Sequence, residues 1–242
     1  MTKVDVIIPI HNRPVHTKQT LISLANNTNP SLYNLYLVDD GSTIDMDRIL
    51  TDTILEEKLY GTERFENKKA IGPGASRNAV CFKISRKHAR SKYLYHSDND
   101  VYFRPGWLET LIESFEKANS TLLNNKLKLL GGGCHPYLQN NHTFTFQTGF
   151  KVGIKDAVSG YSQFMPWEVW DEFGPFDETM RNAEKKIMGS EDWAFCQKII
   201  KAGFLVGSLE PEVVIHTGKH NTYGELATGY ETFKEVEGVN IE

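Results

Sequence analysis

A chain of 242 residues with 40% hydrophobic residues, 24% charged residues and a formal net charge of -4 is long enough to bury one sizeable α/β core and short for two independent domains. These totals do not suggest a nucleic-acid binder, and the chain carries no low-complexity linker. No apolar run approaches the ~20 residues that span a bilayer, Met1 leads into a strand rather than a signal peptide, and Cys81, Cys134 and Cys196 form no Cys-x-x-Cys pattern, so the expectation is a cytoplasmic protein with reduced core thiols and at most peripheral membrane contact.

Residues 4–10 are β-branched and almost continuously apolar, the pattern of a parallel strand buried on both faces. His11-Asn12-Arg13-Pro14 turns the chain, and Leu21, Ile22, Leu24 and Ala25 fall at helical spacing within 16–27. A second strand, 33–38, runs into Asp39-Asp40-Gly41-Ser42-Thr43. Polar residues thus gather at both strand C-termini, where open α/β sheets bind ligands. A helix over 45–58 and a short strand at Arg64-Phe65 come next.

The run from Ile71 through Gly72, Pro73, Gly74, Ala75, Ser76 and Arg77 to Asn78 is a glycine turn opening a helix that should reach about Arg90. Such a start offers free N–H groups and a positive dipole end to an anion, although a plain turn and cap reads the same way. Behind it, Lys83, Arg86, Lys87, Arg90 and Lys92 form either a solvated helix face or a patch for an anionic acceptor. Tyr93-Leu94-Tyr95-His96-Ser97 is then a strand that stops at Asp98-Asn99-Asp100. Side chains alternate along a strand, so Asp98 and Asp100 should face one side. Two hard oxygen ligands there suit Mg2+ or Mn2+ carrying a phosphate, with a surface turn as the plainer alternative.

A helix from Pro105 carries Trp107, Leu108, Leu111, Ile112 and Phe115 toward the core. Strands are expected over 127–134, ending in Gly131-Gly132-Gly133, over a hairpin within 144–153, and over 159–165. Met165-Pro166-Trp167 and Trp170, after Gly160, read as core or as a sugar-stacking platform. Gly189-Ser190-Glu191-Asp192-Trp193 opens a helix with carboxylates in its first turn. Strands over 204–208 and 212–216 follow, and 217–242 reads as a mobile lid or arm.

Taken in this order the segments resemble the GT-A glycosyltransferases, most closely glycosyltransferase family 2, over about 4–216. The resemblance rests on Val6-Ile7-Ile8-Pro9 with His11-Asn12-Arg13, Val38 through Thr43, Gly72 through Asn78, Asp98-Asn99-Asp100, Gly174-Pro175-Phe176-Asp177-Glu178 and Glu191-Asp192. It implies an α/β GT-A fold, a Rossmann-like nucleotide-binding mixed sheet flanked by helices. The domain would occupy 1–216, with 1–100 as the nucleotide-sugar half, 101–216 as the acceptor half and 217–242 as the lid. The implied reaction is metal-dependent transfer of a hexosyl or pentosyl unit from a nucleotide-diphosphate sugar, expected to be a UDP-sugar, to an acceptor hydroxyl with inversion.

By the same resemblance Pro9, His11, Asn12, Arg13, Asp39, Asp40, Gly41, Ser42, Gly74, Arg77, Asn78, Ser97, Asp98 and Asn99 hold the nucleotide sugar. Asp40 is the first choice for base and ribose, and Arg77 for the phosphates. Asp98, Asp100 and His216 would hold Mn2+ or Mg2+, and Asp192, with Glu191 as its alternative, would be the general base. Val101 stands where the family often has a further acid. The acceptor would be a saccharide or glycan precursor, a lipid-linked sugar, or a hydroxymethylated base in DNA. Two rivals are a sugar nucleotidyltransferase, which His11-Asn12-Arg13-Pro14 in place of a basic glycine-rich loop argues against, and a non-catalytic nucleotide-sugar-binding protein.

Overall fold

The structure, a computed structural model, describes residues 3–86, 90–134, 141–145, 149–180 and 191–218. Its strands are β1 (Val4–Ile10), β2 (Tyr33–Asp40), β3 (Glu63–Asn67), β4 (Tyr93–Ser97), β5 (Val101–Phe103), β6 (Leu127–Gly131), β7 (His142–Thr145), β8 (Lys151–Lys155), β9 (Ser162–Pro166), β10 (Leu205–Glu210) and β11 (Val214–His216). The helices are α1 (Pro14–Asn27), α2 (Met46–Glu56), α3 (Pro73–Ser85), α4 (Trp107–Lys117), α5 (Trp167–Phe173) and α6 (Glu191–Lys201). One mixed sheet runs in the order β3-β2-β1-β4-β9-β6-β10-β8-β7, and β5 and β11 form a separate antiparallel ribbon. The first four strands of that order are mutually parallel. β9 runs against both β4 and β6, so one sheet passes through the halves 1–100 and 101–216.

Every residue of β1 is buried, because helices cover both sheet faces. Val4, Val6, Ile8 and Ile10 pack with Leu21, Leu24, Met46, Leu50, Trp107 and Leu111 from α1, α2 and α4. Ile7, on the opposite face, joins Val80 and Ile84 of α3, Trp170 of α5 and Phe195 of α6. The alternation continues through β4, where Tyr93 and Tyr95 enter the first cluster and Leu94 the second. This period of two aims the ends of β1, β2 and β4 at one rim of the sheet.

Some expectations change. Helix α3 stops at Ser85, not near Arg90, with Arg86 as its C-cap. Its last buried side chain is Ile84, so the helix ends with the apolar face that holds it on the sheet. The aromatic platform is core: Met165, Trp167 and Trp170 are buried, Trp170 packs on His96 and Phe176, and the Trp167 indole N–H donates to Asp5 Oδ2 at 2.9 Å. All three cysteines are buried and unlinked, as expected. Gly189, Ser190 and the lid, apart from Thr217 and Gly218, lie outside the described residues.

The glycine run after β6 is a packing device. A Cβ on Gly132 would sit 2.7 Å from Val214 Cγ2, and one on Gly133 would sit 2.7 Å from the Tyr161 hydroxyl. The backbone that these glycines leave bare accepts the Val213 N–H at 2.7 Å and the Val214 N–H at 3.1 Å, both on Gly132 O. β11 is thereby drawn against the sheet rim and its register with β5 pairs His216 with Val101.

Candidate active site

Three strand ends converge at the rim. After β1, Asn12 and Arg13 both adopt left-handed backbone, each with φ 55, a region that residues with a Cβ rarely enter. Neighbours hold them there. The Asn12 N–H donates to Ser42 Oγ at 2.8 Å, Asn12 Oδ1 accepts the Thr43 N–H at 2.9 Å, and Asn99 Nδ2 reaches Asn12 O at 3.5 Å and Thr17 Oγ1 at 2.8 Å. The turn after β1 is thus stitched to those after β2 and β4. Pro14, with φ already set for helix, starts α1 directly behind it.

At the end of β2 the two aspartates divide. Asp40 is buried; its Oδ1 accepts Asn67 Nδ2 at 3.0 Å and the Ile71 N–H at 2.8 Å, and its Oδ2 accepts the Gly72 N–H at 2.7 Å. It therefore anchors the loop that opens α3. Asp39 lies half-buried, with one oxygen accepting the Ser42 N–H at 3.0 Å. Asp40→Ala is expected to cost about 3 kcal/mol of stability, because it strands donors that a charged acceptor now satisfies. A urea midpoint unchanged from wild type would contradict that anchor.

The bend between β4 and β5 carries the acids. Although Asp98 and Asp100 lie beyond the strand, ligand atoms of Asp98, Asp100 and His216 lie within 4.8 Å of one another. Thr217 closes the group, its N–H and Oγ1 both donating to Asp100 O, at 2.8 and 2.9 Å. His216 Nε2 sits 3.2 Å from Asp100 Oδ2 and its ring lies against that of Tyr161. Burial alone would raise the Asp100 pKa, but His216, Arg13 and His16 reverse this and hold the carboxyl below the usual range. Two carboxylates and an imidazole are a donor set that fits a divalent cation.

Two arginines complete the charge pattern. Arg13 Nη1 pairs with Asp100 Oδ2. Arg77, from the first turns of α3, directs Nη2 at Asp98 Oδ1, at Ser97 O (3.0 Å) and at Gly160 O (3.2 Å). The Gly160 N–H in turn donates to Asp192 Oδ2 at 2.8 Å, and the Trp193 N–H donates to Asp192 Oδ1 at 2.7 Å. Asp192 thus stands one residue and one guanidinium from Asp98. Burial first, and the neighbouring Glu191 charge second, push its pKa up to about 6 against the opposing pull of those N–H groups and Arg77.

The remaining expected site residues divide by position. His11 Nδ1 lies 2.9 Å from Asp40 O. Gly41, with φ 61, lies so close to the Lys69-Ala70 backbone that a side chain would overlap it. Gly74 lies beneath Glu191, whose Cγ would be 3.1 Å from a Cβ there. Asn78 spends its amide on the Phe176 backbone and Glu178, bracing the Gly174 to Glu178 segment. Ser97 Oγ donates to Asp98 O at 3.1 Å and Tyr161 O at 3.2 Å, and Pro9 is buried in β1. Tyr161, Thr217 and Gly218 were not singled out from the sequence. No local pattern in the sequence marks Gly218, whose role appears only in space: a side chain there would overlap the Asp100 carboxylate.

The fold is that of the GT-A glycosyltransferases. A family model described as glycosyl transferase family 2 matches residues 5–154, and the chain belongs to that family. An uncharacterized glycosyltransferase of Rickettsia felis is 32% identical over 118 residues, 49% of this chain and 18% of that protein. Among solved structures, S. aureus TarS 1-349 in complex with UDP-GlcNAc matches with a TM-score of 0.63 at 18% identity, over 90% of this chain and 59% of that one. The mannosyltransferase PcManGT from Pyrobaculum calidifontis, in complex with GDP-Man and Mn2+, gives 0.61 at 13% identity, over 86% and 56%. The chain therefore spans less than two thirds of each of these relatives. Glu191, Asp192 and His216 lie beyond the segment that the family model matches.

Proposed function

We propose that the protein transfers a glycosyl unit from a nucleotide-diphosphate sugar to an acceptor hydroxyl with inversion, using a divalent cation held by Asp98, Asp100 and His216 and Asp192 as general base. The observation that carries this reading is the approach of two opposite chemistries across Arg77: a hard-ligand cluster on one side and, through Gly160, a carboxylate with its pKa near 6 on the other. The bound cation, Mn2+ by its nitrogen donor, would offset negative charge on the departing nucleoside diphosphate. Arg77 faces the same phosphates, and Asp192 accepts the proton of the incoming hydroxyl.

Asp39 takes the base or ribose in place of Asp40, whose carboxylate is already committed to the loop before α3. Asp39→Ala should weaken nucleotide binding by about 1–3 kcal/mol with little change in stability. Calorimetry showing equal UDP affinity would move the contact elsewhere. His216→Ala should weaken Mn2+ binding at least about tenfold, and unaltered metal dependence would leave His216 a structural residue.

A saccharide or lipid-linked sugar is the favoured acceptor. Three of the cations that would serve a DNA acceptor are already engaged: Arg90 pairs bidentately with Asp171, Lys92 with Glu116, and Arg77 is buried in the site. The deciding experiment incubates the protein and Mn2+ with UDP- and GDP-sugars, with and without glycans, lipid-linked sugars and hydroxymethylated duplex DNA. Release of nucleoside diphosphate with a new glycosidic bond of inverted configuration, seen by NMR, is expected. With pyrophosphate added in a parallel arm, sugar 1-phosphate and nucleoside triphosphate as products would instead mark a nucleotidyltransferase, and no turnover of any donor in either arm would mark a binding protein.

A further inference from the structure

We propose that Arg13 is a built-in counter-ion that competes with the cation for Asp100, so that the protein takes up the metal together with a nucleoside diphosphate rather than alone. This rests on the metal reading above. Both Arg13 Nη1 and His216 Nε2 are directed at one atom, Asp100 Oδ2. A cation ligated by Asp100 and His216 would take that same oxygen. The Arg13 and Asp100 side chains are only 4% and 6% exposed, so water cannot screen a dication from the guanidinium beside it, and a guanidinium cannot shed its proton to relieve the repulsion. Asp100 and Asp98 are each already offset by a guanidinium, Arg13 and Arg77, so a cation added alone to this cluster meets carboxylates whose charge is taken.

A diphosphate restores the balance. Its oxygens match the planar fork of a guanidinium, which gives Arg13 a new partner when it leaves Asp100. The backbone holds Arg13 where this exchange can occur: its left-handed turn is pinned through Asn12 to Ser42, Thr43 and Asn99. Gly218 keeps a side chain out of the space beside the pair, a Cβ there lying 3.1 Å from Arg13 Nη1. Arg77 exerts the same effect more weakly, because its partner Asp98 is 34% exposed and solvent screens the pair.

The test is Mn2+ binding followed by the electron paramagnetic resonance signal of the free ion, with and without UDP. Without nucleotide, Arg13→Met should bind Mn2+ at least about fivefold more tightly than wild type, and UDP should raise Mn2+ affinity less in the variant, since the two ligands are coupled reciprocally. Arg13→Gln keeps an N–H donor for Asp100 while removing the charge, and it decides the matter if Arg13→Met does not fold. A folded variant that binds Mn2+ no more tightly than wild type without UDP overturns the proposal while leaving the metal site intact. Wild-type protein that binds no Mn2+ even with UDP overturns the metal reading and this proposal with it.

Discussion

Replacing Asp192 by asparagine is expected to cut turnover by about 10²–10⁴-fold, the usual scale of general-base catalysis, with nucleotide affinity close to wild type. The pH profile supplies the sharper signature. A carboxyl works as a base only when ionised, and burial together with Glu191 places the Asp192 pKa at about 6. Wild-type kcat/KM, which reports the free enzyme, should therefore be level above that value and fall about tenfold per pH unit below it. This acid limb should vanish in Asp192→Asn. In Glu191→Gln it should move to lower pH, because the charge that helps raise the Asp192 pKa is gone. An active Asp192→Asn enzyme beside a dead Glu191→Gln enzyme would transfer the role one residue back, and retained anomeric configuration would end the single-displacement mechanism altogether.

Neutralising either metal-site aspartate should abolish activity, since an amide is a poor ligand beside a diphosphate, but the two variants should differ in stability. Asp100→Asn leaves the Arg13 guanidinium buried without its counter-charge, a loss of about 3–5 kcal/mol. Asp98→Asn removes a partly exposed partner from Arg77, which keeps the carbonyls of Ser97 and Gly160; the cost should be about 1 kcal/mol or less. Melting curves on both variants check this ordering. An Asp100→Asn protein as stable as wild type would show that the Arg13 pair contributes nothing to the fold, and full activity in excess chelator would remove the metal from the mechanism.

Much of this was legible in the residues because it is local. The continuous apolarity of 4–10 marks a strand buried on both faces, and the Asp98-Asn99-Asp100 spacing marks a cluster of hard ligands at a strand end. What escaped depends on partners distant in the chain. β5 is three residues long and is a strand only because β11 returns beside it. Gly131 to Gly133 read as the end of a strand, while their function is to let Val213 and Val214 approach. Two adjacent carboxylates on β2 look alike in sequence, yet alternation turns Asp40 toward the loop before α3 and leaves Asp39 at the rim. The basic run after Ile84 fitted a solvated helix face, but α3 ends at Ser85. The Arg13 to Asp100 pair joins residues 87 apart, beyond the reach of any spacing argument.

The β5–β11 ribbon also dictates when the site can exist. Thr217 meets Asp100 across 117 residues of chain, and His216 beside it arrives only after β6 and β9 have been laid between β4 and β10. During synthesis, therefore, the ends of β1, β2 and β4 emerge early while His216, the third member of the cluster, is still unmade. A nascent chain halted before Val213 would contain all of 5–154, the segment that the family model matches, yet would hold Asp98 and Asp100 without His216. Such an intermediate could be recognised by its inability to gain protease resistance from Mn2+ and UDP, whereas the finished chain should gain it as soon as the last short strand docks.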